Sequence, residues 1–257
     1  MNTATLHKDT KALGETLLEI SILLMVSGAS TERVRTTVDR ISSRFELTTY
    51  ILVSQRTIII SIYNDVNECV FNSFKRTLAH TTNFSTVSEI SRISWLIVEE
   101  KWSVQRIHNE LVKLSAIPHY PRLMVLGLTG LAGASFCRLA NGGMTDMAFV
   151  FLGTFAGLLV RQETSRMRFN PYVCVYFSAL CASLVAGCLI RLDPQINHEA
   201  AFVTSVLFLI PGIPLINAFS DMIDGNIQNG LIRGLHGFIV SFFIALGLLT
   251  SMAIYRF

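Results

Sequence analysis

Two carboxylates and one guanidinium lie near the C-terminus, just past a helix breaker. Ile210-Pro211-Gly212-Ile213-Pro214 interrupts an apolar run, and Asn217, Asp221, Asp224 and Arg233 follow it. In lipid, the backbone groups freed by such a break are tolerated only where protein or a water-filled cavity satisfies them. Carriers bind solute at breaks of this kind. A helix restarting at Pro214 would present partial positive charge and open amides at its N-terminal end, an environment suited to a carboxylate. Asp221 and Asp224 come at its other end, where acids oppose the dipole, and a broken local rule points to function. Both acids also have an ordinary reading, as solvated groups or, for Asp224, as a cap for the following turn. Arg233, about two turns further on, can pair with either acid or attract an anion. The candidate solute-binding residues are therefore Pro211, Gly212, Pro214, Asn217 and Arg233. Asp221 and Asp224 are the candidates for proton coupling or gating.

These residues need apolar helices to hold them. Of the 257 residues, 51% are hydrophobic and only 15% charged, well below the quarter or so that is charged in a soluble domain. The charge is uneven: residues 121–257 contain no lysine. The chain divides into a soluble domain, 1–120, and a membrane domain, 121–257. Five spans are expected, at about 122–140, 145–162, 171–191, 199–219 and 232–254, each near the ~20 residues a bilayer core requires. The break falls in the fourth, after a half-helix from Glu199 to Ile210. Arg161, Arg166 and Arg168 between the second and third spans place that loop in the cytoplasm. Arg138, Arg191 and Arg256 then fall outside, with the N-terminus inside. Gly127, Gly130 and Gly133, Gly153 and Gly157, and Gly230, Gly234 and Gly237 form small-residue stripes suited to close helix packing. No charged residue lies near the middle of a span, and Arg233 and His236 are close enough to an end to snorkel.

Several function classes drop out. The net charge of +3 is spread out, without the basic tract of a nucleic-acid binder. There is no P-loop, dinucleotide fingerprint or zinc spacing, so no cofactor, no metal and no enzymatic activity is expected. The cysteines, Cys69, Cys137, Cys174, Cys181 and Cys188, read as packing residues.

The first domain reads as small and α+β. Leu13, Leu17, Ile20 and Leu24 form a helical stripe that should end at Ser27-Gly28. Ser30 or Thr31 caps a second helix with Val34, Val38, Ile41 and Phe45 as its apolar face. Thr48–Ser54 and Thr57–Tyr63 read as a hairpin, with Ile58-Ile59-Ile60 covered on both faces. Helices follow over Thr86–Lys101 and after Ser103, and Ile117-Pro118-His119-Tyr120-Pro121 closes the domain.

Two stretches together carry a family resemblance. Leu23-Leu24-Met25-Val26-Ser27-Gly28-Ala29-Ser30-Thr31-Glu32-Arg33-Val34 resembles the N-terminal signature of the threonine/serine exporter family. Pro211-Gly212-Ile213-Pro214-Leu215-Ile216-Asn217-Ala218, with Asp221 and Gly225-Asn226, resembles its membrane signature. The resemblance implies a multi-pass exporter of the bacterial inner membrane. Fused members carry a second membrane half, so the chain is similar to the larger subunit of the split form. That form implies a small membrane partner of the YjjB type and succinate-like dicarboxylates as cargo. Five spans around a solute path also require a partner or oligomer, and an odd number of spans repeated in tandem gives inverted repeats. Export of threonine or serine, and a membrane sensor or scaffold with the soluble domain as output, stand as alternatives.

Overall fold

The computed structural model describes residues 3–77, 82–115, 120–192 and 198–255. Ile117–His119, the Arg191 side chain and Arg256 lie outside the described residues. The described residues are mostly helical, with one small sheet, and the chain forms two compact units. Met1–Pro118 and Ile213–Gly234 make the first; His119–Gly212 and Leu235–Phe257 make the second.

In the first unit, α1 (Thr3–Val26) and α2 (Thr31–Ser43) are joined by a tight turn. Gly28 adopts φ +93°, and the Gly28 and Ala29 amides donate to the Met25 and Leu24 carbonyls. This is the glycine-terminated helix end that satisfies two otherwise orphaned carbonyls. Ser30 caps α2 by accepting from the Arg33 amide. The sheet is antiparallel in the order β1 (Thr48–Val53), β2 (Thr57–Tyr63) and β3 (Cys69–Arg76). The expected hairpin is present, with Val53 opposite Ile58 and Thr48 opposite Tyr63. The third strand was not expected. It follows a turn in which Asn64 Oδ1 accepts from the Val66 and Glu68 amides.

Ile58, Ile60 and Ile62 are buried, but Ile59 is exposed with Tyr50, Leu52 and Phe74. Only one sheet face is covered, because strand side chains alternate and the helices pack on one side. Leu13, Leu17, Ile20 and Leu24 of α1 meet Val34, Val38 and Ile41 of α2 in that core. They are joined by Ile90 and Ile97 of α3 (Phe84–Glu99) and by Ile107 and Leu111 of α4 (Val104–Ser115).

The second unit holds α5 (Arg122–Leu139), α6 (Met144–Arg166) and α7 (Pro171–Leu192). It also holds the short α8 (Glu199–Thr204), a 3-10 turn (Leu207–Leu209), and α10 (Ile227–Tyr255) from Leu235 onward. Among the described residues four helices, α5, α6, α7 and α10, are long and apolar enough to cross a membrane. A fifth span is reached if Glu199–Leu209 and α9 (Gly212–Ile223) count as one broken span.

Small residues bring these helices together. A Cβ at Gly153 would lie 2.7 Å from the Ala182 carbonyl oxygen, and one at Gly247 2.9 Å from that of Tyr176. The Ser178 hydroxyl donates to the Gly157 carbonyl at 2.7 Å. Gly127, by contrast, faces open space, so the stripe on α5 does not extend to it. The outward faces of α5, α6 and α10 carry Leu128, Leu131, Leu152, Phe238, Phe242 and Leu249, all exposed. A soluble monomer rarely shows so continuous an apolar face, and a bilayer supplies its natural cover.

Candidate functional site

The break is present. The α-helix of the first half ends at Thr204, earlier than expected, and tightens into the 3-10 turn before Ile210 and Pro211. Helix α9 begins at Gly212. Its first turn is poorer in free donors than the anion-binding reading requires. Pro211 and Pro214 have no amide hydrogen, and the Gly212 amide already donates to the Ile210 carbonyl at 2.9 Å. That leaves Ile213 as the one amide among 211–214 not accounted for, so backbone alone makes a weak carboxylate cradle here. A Cβ at Gly212 would meet nothing within 4 Å, so no close approach demands glycine there.

Three of the candidate residues are drawn together further along, in the first unit. Each reaches the α1–α2 turn or its start. Asn217 donates from Nδ2 to the Gly28 carbonyl at 2.7 Å. Asp221 accepts at Oδ1 from the Thr31 amide at 2.8 Å. Arg233 donates from Nη2 to the Ala29 carbonyl at 3.1 Å and holds Nη1 3.1 Å from Asp221 Oδ2. Asn229, which sequence reading overlooked, donates from Nδ2 to the Val53 carbonyl at 2.7 Å and to Thr31 Oγ1 at 3.2 Å.

The electrostatics are coherent. Thr31 is the first residue of α2, and its amide is one of the donors a helix start leaves unpaired. Asp221 supplies the missing acceptor and puts a carboxylate at the positive end of the α2 dipole. Its own charge is balanced by Arg233. Asp221 is fully buried and Arg233 is 7% exposed, so Arg233 does not snorkel to water as expected but turns inward to a partner.

Asp224 takes no part. Helix α9 ends in the same glycine-terminated way as α1: Gly225 adopts φ +82°, with its amide on the Met222 carbonyl and that of Asn226 on the Asp221 carbonyl. Asp224 falls at the end of that turn, exposed, 3.4 Å from the Ser220 hydroxyl.

Helices α9 and α10 meet closely in this unit because Gly230 has no side chain. A Cβ there would lie 2.6 Å from the Ala218 carbonyl oxygen. Gly230→Ala is therefore expected to destabilise the protein by about 1–3 kcal/mol through overpacking, whereas Gly212→Ala leaves stability unchanged. Thermal unfolding of the two purified variants in detergent checks the contrast.

A second buried pair, also missed from sequence, lies in the other unit. His198 Nδ1 is 2.6 Å from Asp146 Oδ1, and Asp146 Oδ2 accepts from the Gly143 amide at 2.8 Å. Both side chains are almost wholly buried. Asp146 thus caps the start of α6 and fixes the residue that precedes α8. The one visible signal was the acid three residues past Gly143, a helix-start pattern. Among the described residues no cluster of His, Cys, Asp or Glu is arranged to hold a metal, and the cysteines are free.

Residues 15–255 match the family model ThrE, described as "Putative threonine/serine exporter". The chain is 26% identical over 204 residues to the "Probable succinate transporter subunit YjjP" of Escherichia coli K12, covering 79% of this chain and 78% of that protein. It is 26% identical over 205 residues to the protein of the same name in Klebsiella aerogenes, covering 79% and 78%. Against the "Probable threonine/serine exporter" of Mycobacterium tuberculosis it is 22% identical over 247 residues, covering 95% of this chain but 46% of that protein. No solved structure matches. The family and these relatives are transporters, not enzymes. The match runs through both the turn at Gly28 and the Asp221–Arg233 pair that grips it: this chain belongs to the threonine/serine exporter family.

Proposed function

We propose that this chain is a subunit of a secondary exporter that moves a small carboxylate, of the succinate type, out across the bacterial inner membrane. A small membrane partner of the YjjB type supplies the second half of the solute path. The observation that carries this reading is the buried Asp221–Arg233 pair. Ionisable groups within or beside apolar helices are costly and mark function by default, and this pair ties α9 and the start of α10 to backbone groups of the α1–α2 turn, the Thr31 amide and the Ala29 carbonyl.

In this reading the broken segment is one of five spans, and the N-terminal domain is cytoplasmic. Asp221 and Arg233 act as a latch: closed, they hold the Gly28–Thr31 turn; open, they release it and let α9 move. The backbone of the break and Asn217 line the solute path. The shortage of free amides in the first turn of α9 assigns charge recognition to arginines. Asp224, exposed at the end of α9, lies at the cytoplasmic entrance. A gradient supplies the energy.

The relatives support the assembly. Two are subunits by name, and this chain covers less than half of the third. That third relative also supports threonine or serine as the cargo in place of a dicarboxylate. Efflux of labelled succinate and labelled threonine from vesicles, with this chain alone and with the partner co-reconstituted, decides between them. Succinate efflux only when both chains are present is the expected result; efflux by this chain alone, or of threonine only, overturns the corresponding part.

A further inference from the structure

A cavity of about 450 Å³ lies in the second unit, where the start of α5 meets the end of α6. Tyr120, Arg122, Arg161, Gln162, Ser165 and Arg166 contribute to its lining. Its size is that of a small-molecule site, and polar groups converge in it from two helices.

Two of the three guanidiniums are braced from the side. Glu163 lies 2.5 Å from Arg122 and 3.5 Å from Arg166, and Gln162 Oε1 accepts from Arg122 Nε at 2.6 Å. The third, Arg161, makes no hydrogen bond or ion pair through its side chain among the described residues. One carboxylate against three cations leaves two positive charges around an open cavity.

Helix-end electrostatics do not account for this. Arg166, in the last turn of α6, suits the negative end of its dipole. Arg161 lies more than a turn earlier, outside that effect. Arg122 is the first residue of α5, at the end where a cation is disfavoured. The α5 start tolerates it with Glu163 alongside, and the surplus charge faces the cavity.

We propose that this cavity binds a carboxylate or phosphate oxyanion, with oxygens held between Arg161 and the braced Arg122–Arg166 pair. Guanidinium forks match carboxylate and phosphate oxygens two at a time, and Ser165 and Tyr120 add hydroxyl donors at the rim. The anion comes either from solution, as a dicarboxylate, or from the bilayer, as a phospholipid headgroup. The binding chemistry is independent of the export reading; only the identification of a free dicarboxylate as cargo rests on it. In the topology proposed above the cavity opens to the cytoplasm, where an exporter meets its solute first.

The full chain in nanodiscs of neutral phosphatidylcholine is titrated calorimetrically with succinate, and chain extracted from phosphatidylglycerol-containing membranes is examined by native mass spectrometry for retained lipid. Arg161→Gln is the test variant. Ser165→Phe fills the cavity from an exposed position and replaces it if Arg161→Gln fails to fold. Succinate binding weakened about tenfold or more in the variant, the scale of one charged hydrogen bond, supports the site with a soluble anion. Absence of succinate binding with retained phosphatidylglycerol that the variant loses supports it with a lipid headgroup. If neither ligand responds to the variant, the proposal is overturned. Succinate binding that survives while vesicle efflux fails would count against the export reading and leave this site standing.

Discussion

Replacing Arg233 with alanine is expected to abolish export and to destabilise the protein by about 3–5 kcal/mol, the scale for stranding one member of a buried ion pair. The effect is large because Asp221 is fully buried and Arg233 is its only cationic partner among the described residues. Truncation also removes the donor to the Ala29 carbonyl. The double variant Asp221→Asn, Arg233→Met separates the two roles. The Asn side-chain carbonyl oxygen can still accept from the Thr31 amide, no charge is left stranded, and most of the stability should return. Export should not return, because the charged latch is gone. Chemical unfolding in detergent and efflux from vesicles, run on the same preparations, read the two quantities apart. A double variant that exports at the wild-type rate would reduce the pair to a structural contact.

The second large effect concerns the break. Pro211→Leu, Gly212→Leu and Pro214→Leu made together are expected to bring efflux down to the background of empty vesicles without unfolding the protein. All three are needed. Each proline in a helix interior costs about 3 kcal/mol and a glycine about 1 kcal/mol, and Pro214 left alone would still clash with the carbonyl of Ile210, four residues back. Gly212→Ala alone spares both prolines and should be silent, as its open surroundings require. With leucines at all three positions the helix can run on, and the backbone groups exposed at the interruption pair within it. A sensor or scaffold would tolerate that change, since an anchor needs no interruption. Efflux by the triple variant at the wild-type rate would therefore favour that alternative.

Much of the fold was legible because its signals are local. The stripes of α1 and α2 repeat within one or two turns, so Leu13, Leu17, Ile20 and Leu24 could be placed on a core face before any partner was known. Gly28 announced a helix end for the same reason, and it adopts the left-handed conformation that ends α1. Strand β3 was missed because most of its side chains are partly or fully exposed, which leaves no hydrophobic alternation to see. Gly127 was overread: a stripe of small residues marks possible contacts, and only packing decides which are used. The Asp146–His198 pair joins side chains 52 positions apart, and the arginine cavity joins the start of one helix to the end of the next. Neither separation has a periodicity to detect.

The amino-acid sequence by itself determined the apolar helices, the interruption at Pro211 and the family signatures, because chain stiffness, missing amides and hydropathy act over a few residues. It placed Asp221 and Asp224 together near one helix end, with only a slight lean toward Asp221. The tertiary structure separated them fully, burying Asp221 against Thr31, 190 positions away, and leaving Asp224 at the exposed end of the turn. An ion pair needs its partner within a few ångströms in space, and distance along the chain carries no information about that once the chain has folded back on itself.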